Sequence, residues 1–334
     1  MVRWGIISTG RIARKFAQSL AASESDQVVA VASRDEARAQ AFAGEFSIPR
    51  AYGSYEALLA DPEVSQIYLA LPNALHAEWA AKAAAAGKHV LCEKPLATSA
   101  AEAAAMFETA RRHGVWLMEA FMYRFHPQTR RLQELLAAGA IGEVRLVRAS
   151  FGFSVSDPAN VRLSAELAGG ALMDVGCYCV NAARMVVGER PARAVATATW
   201  APSGVDATLA GTLAYPSGAL AQIACSLQTS RHHQLQVIGS DGIIEVDEVF
   251  TVPSDRPTRI RLVRGRAQDE VELIEIPPAE HFRLEAEGFS ALIAAGHGAS
   301  GLPEMPLTET LDNAATIDAL LRSAREGRPV DVAP

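Results

Sequence analysis

Through the first 120 residues, short apolar runs alternate with longer stretches rich in helix formers. The runs at 2–7, 28–32, 66–71, 90–92 and 115–118 have strand length, and helices are predicted between them at 11–21, 36–45, 55–60, 74–86 and 100–112. Caps frame these helices: Asp35 and Ser54 precede two of them, and Ser99 with Glu102 makes a capping box before a third. Gly87 and Gly114 follow helix ends, where a left-handed residue fits. This alternation builds a parallel sheet with crossover helices.

After residue 126 the rhythm changes. A helix at 128–138 and a strand at 144–151 lead to a polar stretch, 152–170, that is too long for a plain connection and is a candidate substrate lid. A helix at 171–187 follows. Alternating or β-branched runs come next at 207–214, 219–227, 234–238, 243–246, 259–263 and 271–276. Pro216-Ser217-Gly218 and Ser240-Asp241-Gly242 are hairpin-length turns, so this sheet is mostly antiparallel. Helices at 284–295 and 308–325 end the pattern. The expected fold is an α/β Rossmann domain, a doubly wound parallel sheet, over 1–125. An α+β domain with a mostly antiparallel open sheet then occupies 126–334.

A chain of 334 residues supports two such domains, each with its own core. Lys and Arg number 31 against 38 Asp and Glu, a net charge of −7, which disfavours nucleic acid and anionic membrane as partners. Four cysteines, with no CxxC pair, argue against a disulfide scaffold or a zinc site and for a reducing, cytoplasmic setting. The amino terminus enters strand-like sequence at once without the pattern of a secretory signal, and no apolar run reaches about 18 residues, the length of a membrane span.

The first strand–helix turn reads Gly5-Ile6-Ile7-Ser8-Thr9-Gly10-Arg11-Ile12-Ala13. Against GxGxxG, Ser8 stands for the first glycine, Gly10 for the second and Ala13 for the third. A missing side chain at Gly10 lets backbone approach a pyrophosphate, and the following helix supplies N–H groups and a positive dipole end. Ser8, Thr9, Gly10, Arg11 and Ile12 are the candidate phosphate contacts; an unoccupied tight turn is the other reading. At the end of the second strand, where NAD-specific sites offer an acid, the chain has Ser33 and Arg34, with Arg38 one helical turn on. Guanidinium groups fit a 2′-phosphate, which favours NADP over NAD, although Asp35 leaves open a solvated Arg-Asp pair.

Glu93-Lys94-Pro95 directly follows a strand, which delivers Lys94 to the ligand-binding edge of an open α/β sheet. A lysine there can be catalytic or merely a surface charge. Asp174 and Tyr178 stand four apart, on one helical face, just after Gly169-Gly170, which permit close approach of ligand or backbone. They can equally be a dipole-serving acid and a core tyrosine. No histidine has metal-ligand spacing, so no metal is expected.

With the fingerprint at 5–13, Leu71-Pro72-Asn73-Ala74-Leu75-His76, Glu93-Lys94-Pro95 and the 169–178 segment in this order, the chain resembles the glucose-fructose oxidoreductase / inositol dehydrogenase (Gfo/Idh/MocA) family. Glu119-Ala120-Phe121-Met122-Tyr123-Arg124 and the Asp-x-Gly-x-Tyr form at 174–178 resemble the branch of NADP-dependent D-xylose dehydrogenases and dimeric dihydrodiol dehydrogenases.

The resemblance implies that Lys94 is the catalytic lysine and that Glu93 and Lys94 approach the nicotinamide ribose. It implies that Leu71, Pro72, Asn73 and His76 line the cofactor cleft, and that Tyr123 and Arg162 lie near substrate. It also implies a homodimer through the open sheet. Many relatives carry histidine where this chain has Tyr178, and some carry tyrosine where it has Phe282. The expected reaction is hydride transfer between NADP(H) and a carbinol carbon of a sugar or cyclic diol. Tyr178 exchanges the proton, Lys94 lowers its pKa, and Asp174 orients substrate or lysine. An NAD-dependent glycosidase and a non-catalytic cofactor-binding sensor are the alternatives within the family.

Overall fold

The Ala-rich first third folds as its periodicity dictates. Strands β1 (Val2–Ile7), β2 (Asp26–Ala32), β3 (Arg50–Tyr52), β4 (Gln66–Leu69), β5 (His89–Glu93) and β6 (Leu117–Ala120) form a sheet in the order β3-β2-β1-β4-β5-β6. Every pairing in it is parallel. Helices α1 (Arg11–Leu20), α2 (Glu36–Phe46), α3 (Tyr55–Leu59), α4 (His76–Ala85) and α5 (Ala100–Arg112) connect the strands. The side chains of Asp35, Ser54 and Ser99 accept the capping N–H bonds that their positions predict. The sequence pattern does not predict the three-residue edge strand β3, because Arg50-Ala51-Tyr52 is too short to show a period.

The second sheet has nine strands: β7 (Val144–Ser154), β8 (Arg193–Trp200), β9 (Asp206–Ala214), β10 (Leu220–Ser226), β11 (Gln228–Gly239), β12 (Gly242–Asp247), β13 (Thr258–Arg264), β14 (Glu270–Ile276) and a late strand, Val330–Asp331. It is mixed, with β10 parallel to β7 and the other neighbours antiparallel. Helix α6 (Pro127–Ala137) precedes it. Helix α7 (Cys177–Val187) packs on the face where β7 buries Val147, Ala149 and Phe151 and β10 buries Ala221, Ile223 and Cys225. Helices α8 (His281–Ala295) and α9 (Leu307–Glu326) follow, with a two-stranded pair, β15 (Gly301–Leu302) and β16 (Met305–Pro306), between them; Val330–Asp331 is β17.

The computed structural model describes residues 1–265, 270–296, 301–302 and 305–333. It divides into one unit of Met1–Met122 with Glu280–Leu307 and another of Tyr123–Ala279 with Thr308–Pro334. The sequence pattern places all of 126–334 in the second domain; the structure instead returns α8 to the first. The reason is packing: Phe289 of α8 meets Trp4 with ring centroids 6.0 Å apart, and the Ser290 hydroxyl donates to Asp26 and lies 3.2 Å from Gln66 Oε1. A fully buried phenylalanine such as Phe289 contributes about 1.5–3 kcal/mol, which local sequence pattern cannot assign to one sheet rather than another. Among the described residues no helix is long and apolar enough to cross a membrane.

Candidate active site

In the first unit the turn from β1 to α1 is built by Ser8 and Gly10. Ser8 has φ 138°, backbone geometry that an L side chain rarely adopts, and its hydroxyl accepts the Gly10 N–H at 3.0 Å. Ser8 thus occupies the first-glycine position of the fingerprint in conformation as well as in sequence. No side chain caps α1, and a Cβ added at Gly10 would meet only the Ser8 hydroxyl, at 3.2 Å. The amino end of α1 therefore presents N–H groups and the positive end of its dipole over open backbone, with Thr9 and Ile12 half-buried and Arg11 exposed beside it.

At the carboxyl end of β2, Asp35 turns into the helix that follows. Its carboxylate accepts the Arg38 N–H at 3.3 Å and pairs with Arg38 Nε at 3.4 Å. Ser33 Oγ accepts the Asp35 N–H at 3.2 Å. Arg34 lies beside the Tyr55 phenol, where its charge opposes the upward push of burial on that phenol. Two exposed guanidinium groups and a hydroxyl stand where an NAD site would offer an acid to a ribose. These residues fit a dinucleotide with a 2′-phosphate.

Two loops meet at the ends of β4 and β5. The His76 ring is wholly buried, with Nε2 2.9 Å from the Leu71 carbonyl and Nδ1 3.0 Å from the Pro95 carbonyl. Burial lowers its pKa. Expected to line a cofactor cleft, His76 is instead a tie between the 71–76 loop and the Glu93-Lys94-Pro95 loop, while Leu71, Pro72 and Asn73 stay half-buried. Glu93 accepts from the Tyr68 hydroxyl and, at 3.3 Å, from the Lys94 N–H. Glu119 accepts the Leu96 N–H at 2.9 Å. The Lys94 backbone is thereby fixed from both flanks, with its side chain half-buried.

In the second unit the expected single helix at 171–187 is two elements. A π-helical stretch, Leu172–Gly176, in which the Cys177 N–H reaches the Leu172 carbonyl, runs into α7. Asp174 is ion-paired with Arg162, Nε to Oδ2, at 2.6 Å. The two residues expected to face substrate are thus committed to each other, with Arg162 also over the Phe153 ring. Gly169 and Gly170 serve backbone packing: a Cβ at Gly169 would run into the Arg162 carbonyl, and the Gly170 N–H donates to that carbonyl at 2.8 Å. Because β7 extends to Ser154, the candidate lid shortens to 155–170 and includes the 3-10 turn Val161–Leu163.

Tyr178 is buried among Phe151, Phe250 and Tyr123, with ring centroids 5.6, 5.4 and 5.9 Å away. Tyr123, expected near substrate, is wholly buried and donates its hydroxyl to Asn181 Oδ1 at 2.5 Å; burial raises its pKa. Phe282 is buried, without a hydroxyl to offer.

Two contacts have no signal in the sequence: that of Asp206, which accepts the Leu172 N–H at 2.7 Å, and that of the wholly buried Arg124, which pairs with Glu309 at 2.6 Å. Their partners lie 34 and 185 residues away, and no local motif marks either contact. Among the described residues no group of three or more His, Cys, Asp or Glu is placed to hold a metal.

Residues 2–121 match the oxidoreductase family with an NAD-binding Rossmann fold, and residues 129–245 match the GFO/IDH/MocA C-terminal domain. The chain belongs to the GFO/IDH/MocA oxidoreductase family. It is 42% identical over 331 residues to a D-xylose 1-dehydrogenase (NADP(+)) of Haloferax volcanii, covering 98% of this chain and 99% of the relative. It is 41% identical to a mouse trans-1,2-dihydrobenzene-1,2-diol dehydrogenase over 75% of each chain. A 3-ketoreductase from Actinomadura kijaniata, solved with NADP and TDP-benzene, superposes with a TM-score of 0.89 at 32% identity, covering 96% of this chain and 97% of that one. As a GFO/IDH/MocA protein the chain carries its family's Rossmann fold on the unit that holds Ser8, Gly10 and Lys94.

Proposed function

We propose that this chain is an NADP-dependent oxidoreductase acting on the CH-OH group of a sugar, such as a D-xylose-type aldose, or of a cyclic trans-diol. The observation that carries this reading is the set of strand ends in the first unit. There the uncapped α1, the cluster of Ser33, Arg34 and Arg38 with Asp35 paired to Arg38, and the doubly anchored Lys94 lie on one parallel sheet. Full-length similarity to an enzyme named as an NADP-dependent xylose dehydrogenase supports the substrate class.

A bound nicotinamide would supply the hydride-transfer chemistry. The N–H groups of Thr9, Arg11 and Ile12 at the start of α1 would hold the pyrophosphate, and Arg34 with Arg38 would hold the 2′-phosphate. Tyr178 is assigned the hydroxyl proton, taking it in oxidation and returning it in reduction; Lys94 is assigned the substrate oxygen. Asp174 works through Arg162, holding the 155–170 loop. His76 and Glu93 keep the Lys94 loop in place.

Homodimerisation through the outer face of the nine-stranded sheet belongs to the same reading, supported by exposed Val195 and Leu220 on that face. Residence in the cytoplasm is supported by four buried cysteines that form no disulfide, Cys92, Cys177, Cys179 and Cys225.

The test is reduced-nicotinamide absorbance over a panel of aldoses and trans-diols, with NADP and NAD in parallel. Net turnover with NADP on at least one class is expected. No net change with any substrate, in protein that copurifies with tightly held NAD, would replace this reading with the glycosidase.

A further inference from the structure

We propose that Asp206 is a positioning residue for this reaction: its carboxylate clamps the amino end of the helical segment that carries Asp174 and Tyr178. The inference rests on the reading of Tyr178 as the proton-transfer group. Asp206 opens β9 and is 2% exposed. Its Oδ2 accepts the Leu172 N–H at 2.7 Å, and the Ala171 N–H also faces the carboxylate. Gly170, at φ 120°, lies so close that a Cβ there would run into the carboxylate. On the far side of the segment, a Cβ at Gly176 would come within 2.7 Å of Cys225 Sγ on β10. The π-helical turn is therefore gripped at both ends, by a charge at its start and by close backbone packing at its finish.

A serine or asparagine would cap this helix start without burying a charge. The groups that face Asp206 are Arg325 from α9, which favours its ionised form, and the Cys225 thiol from β10. Burial outweighs Arg325 and pushes the carboxyl up to about 6. At neutral pH the fold thus carries a buried carboxylate that it holds at a cost, and charge-assisted bonds to the backbone are what it gains. A clamp of this kind lowers stability while fixing geometry, so its removal leaves a different signature from that of a structural residue.

The experiment is Asp206→Asn, with Gly170→Ala as a variant that displaces the carboxylate from the other side. Asp206→Asn should lower kcat by on the order of 10- to 100-fold. NADP affinity, read by fluorescence, should stay within about twofold, and Tm at pH 7 should not fall. The parent's kcat should drop as pH falls through about 6, and Asp206→Asn should lack that limb. The Tyr178 ring resonance, assigned by its loss in Tyr178→Phe, should move in Asp206→Asn. Gly170→Ala should lower kcat similarly, and the double variant should be no slower than either.

Parental kcat in Asp206→Asn overturns the proposal, as does a joint fall of kcat, Tm and cofactor affinity. Tyr178→Phe separates the two readings. If it is slow while Asp206→Asn is normal, only the clamp fails; if it keeps the parent's rate, the reading of Tyr178 fails and the clamp with it.

Discussion

The turn at Ser8 to Ile12 and the segment at Leu172 to Tyr178, to which we assign phosphate binding and proton transfer, are held in unlike ways. The first is local: one serine at φ 138°, one glycine and an uncapped helix start make the turn proposed to bind the anion, and the bond that shapes it spans two residues. The second depends on distant chain. Arg162 reaches Asp174 from 12 residues upstream, Asp206 reaches Leu172 from 34 residues downstream, and Phe250 packs on the Tyr178 ring. A phosphate site needs only backbone N–H groups, which a short motif can aim. A proton-transfer group needs a fixed side chain, and in this fold the restraint comes from other elements.

The sharpest way to break the comparison is at Tyr178. Tyr178→Phe preserves the aromatic packing and deletes one oxygen, so kcat should fall by about 10² to 10⁴ with the fold intact. A parental rate and pH profile would make Tyr178 a packing residue and leave the second segment without its chemistry. Lys94→Met should cost kcat at least about 10²-fold with cofactor binding retained. Normal turnover in that variant would return Lys94 to a surface charge.

Stability against pH tests the cost of the second arrangement. The Asp206 carboxyl moves from the ordinary 3.8 to about 6, a shift worth ~3 kcal/mol. A raised folded value means that the native state binds the proton more tightly than the unfolded chain. This group's share of stability is therefore greatest in acid and is lost as pH rises through about 6. Denaturant unfolding of parent and Asp206→Asn should diverge in favour of the variant between pH 4 and 7, by up to ~3 kcal/mol. A flat difference across that range would show that the carboxylate is held without penalty.

The local turn should respond in smaller steps. Arg34→Ala should raise KM for NADP by about 10- to 100-fold, or 1.4 to 2.7 kcal/mol, and leave KM for NAD almost unchanged; equal losses would sink the 2′-phosphate assignment. Ser8→Gly relieves the positive φ but frees the chain and deletes the bond to Gly10, so unfolding free energy should stay within ~1 kcal/mol of the parent. A larger loss would mean that the serine side chain, and not the backbone shape, holds the turn.

The sequence by itself determined whatever depends on near neighbours. The strand–helix rhythm, the caps at Asp35, Ser54 and Ser99, and the fingerprint turn were legible because periodicity, capping and turn geometry are set within a few residues. Lys94 at a strand end was legible for the same reason. Tertiary structure alone decided where α8 packs, that Asp174 pairs with Arg162, that Tyr123 is spent on Asn181 and that His76 ties two loops. Only the folded chain revealed that the 171–187 stretch begins with a π turn gripped by Asp206. Each of these outcomes is chosen by burial and by the need of a buried polar group for a partner, and that partner lies at a sequence distance no local pattern records.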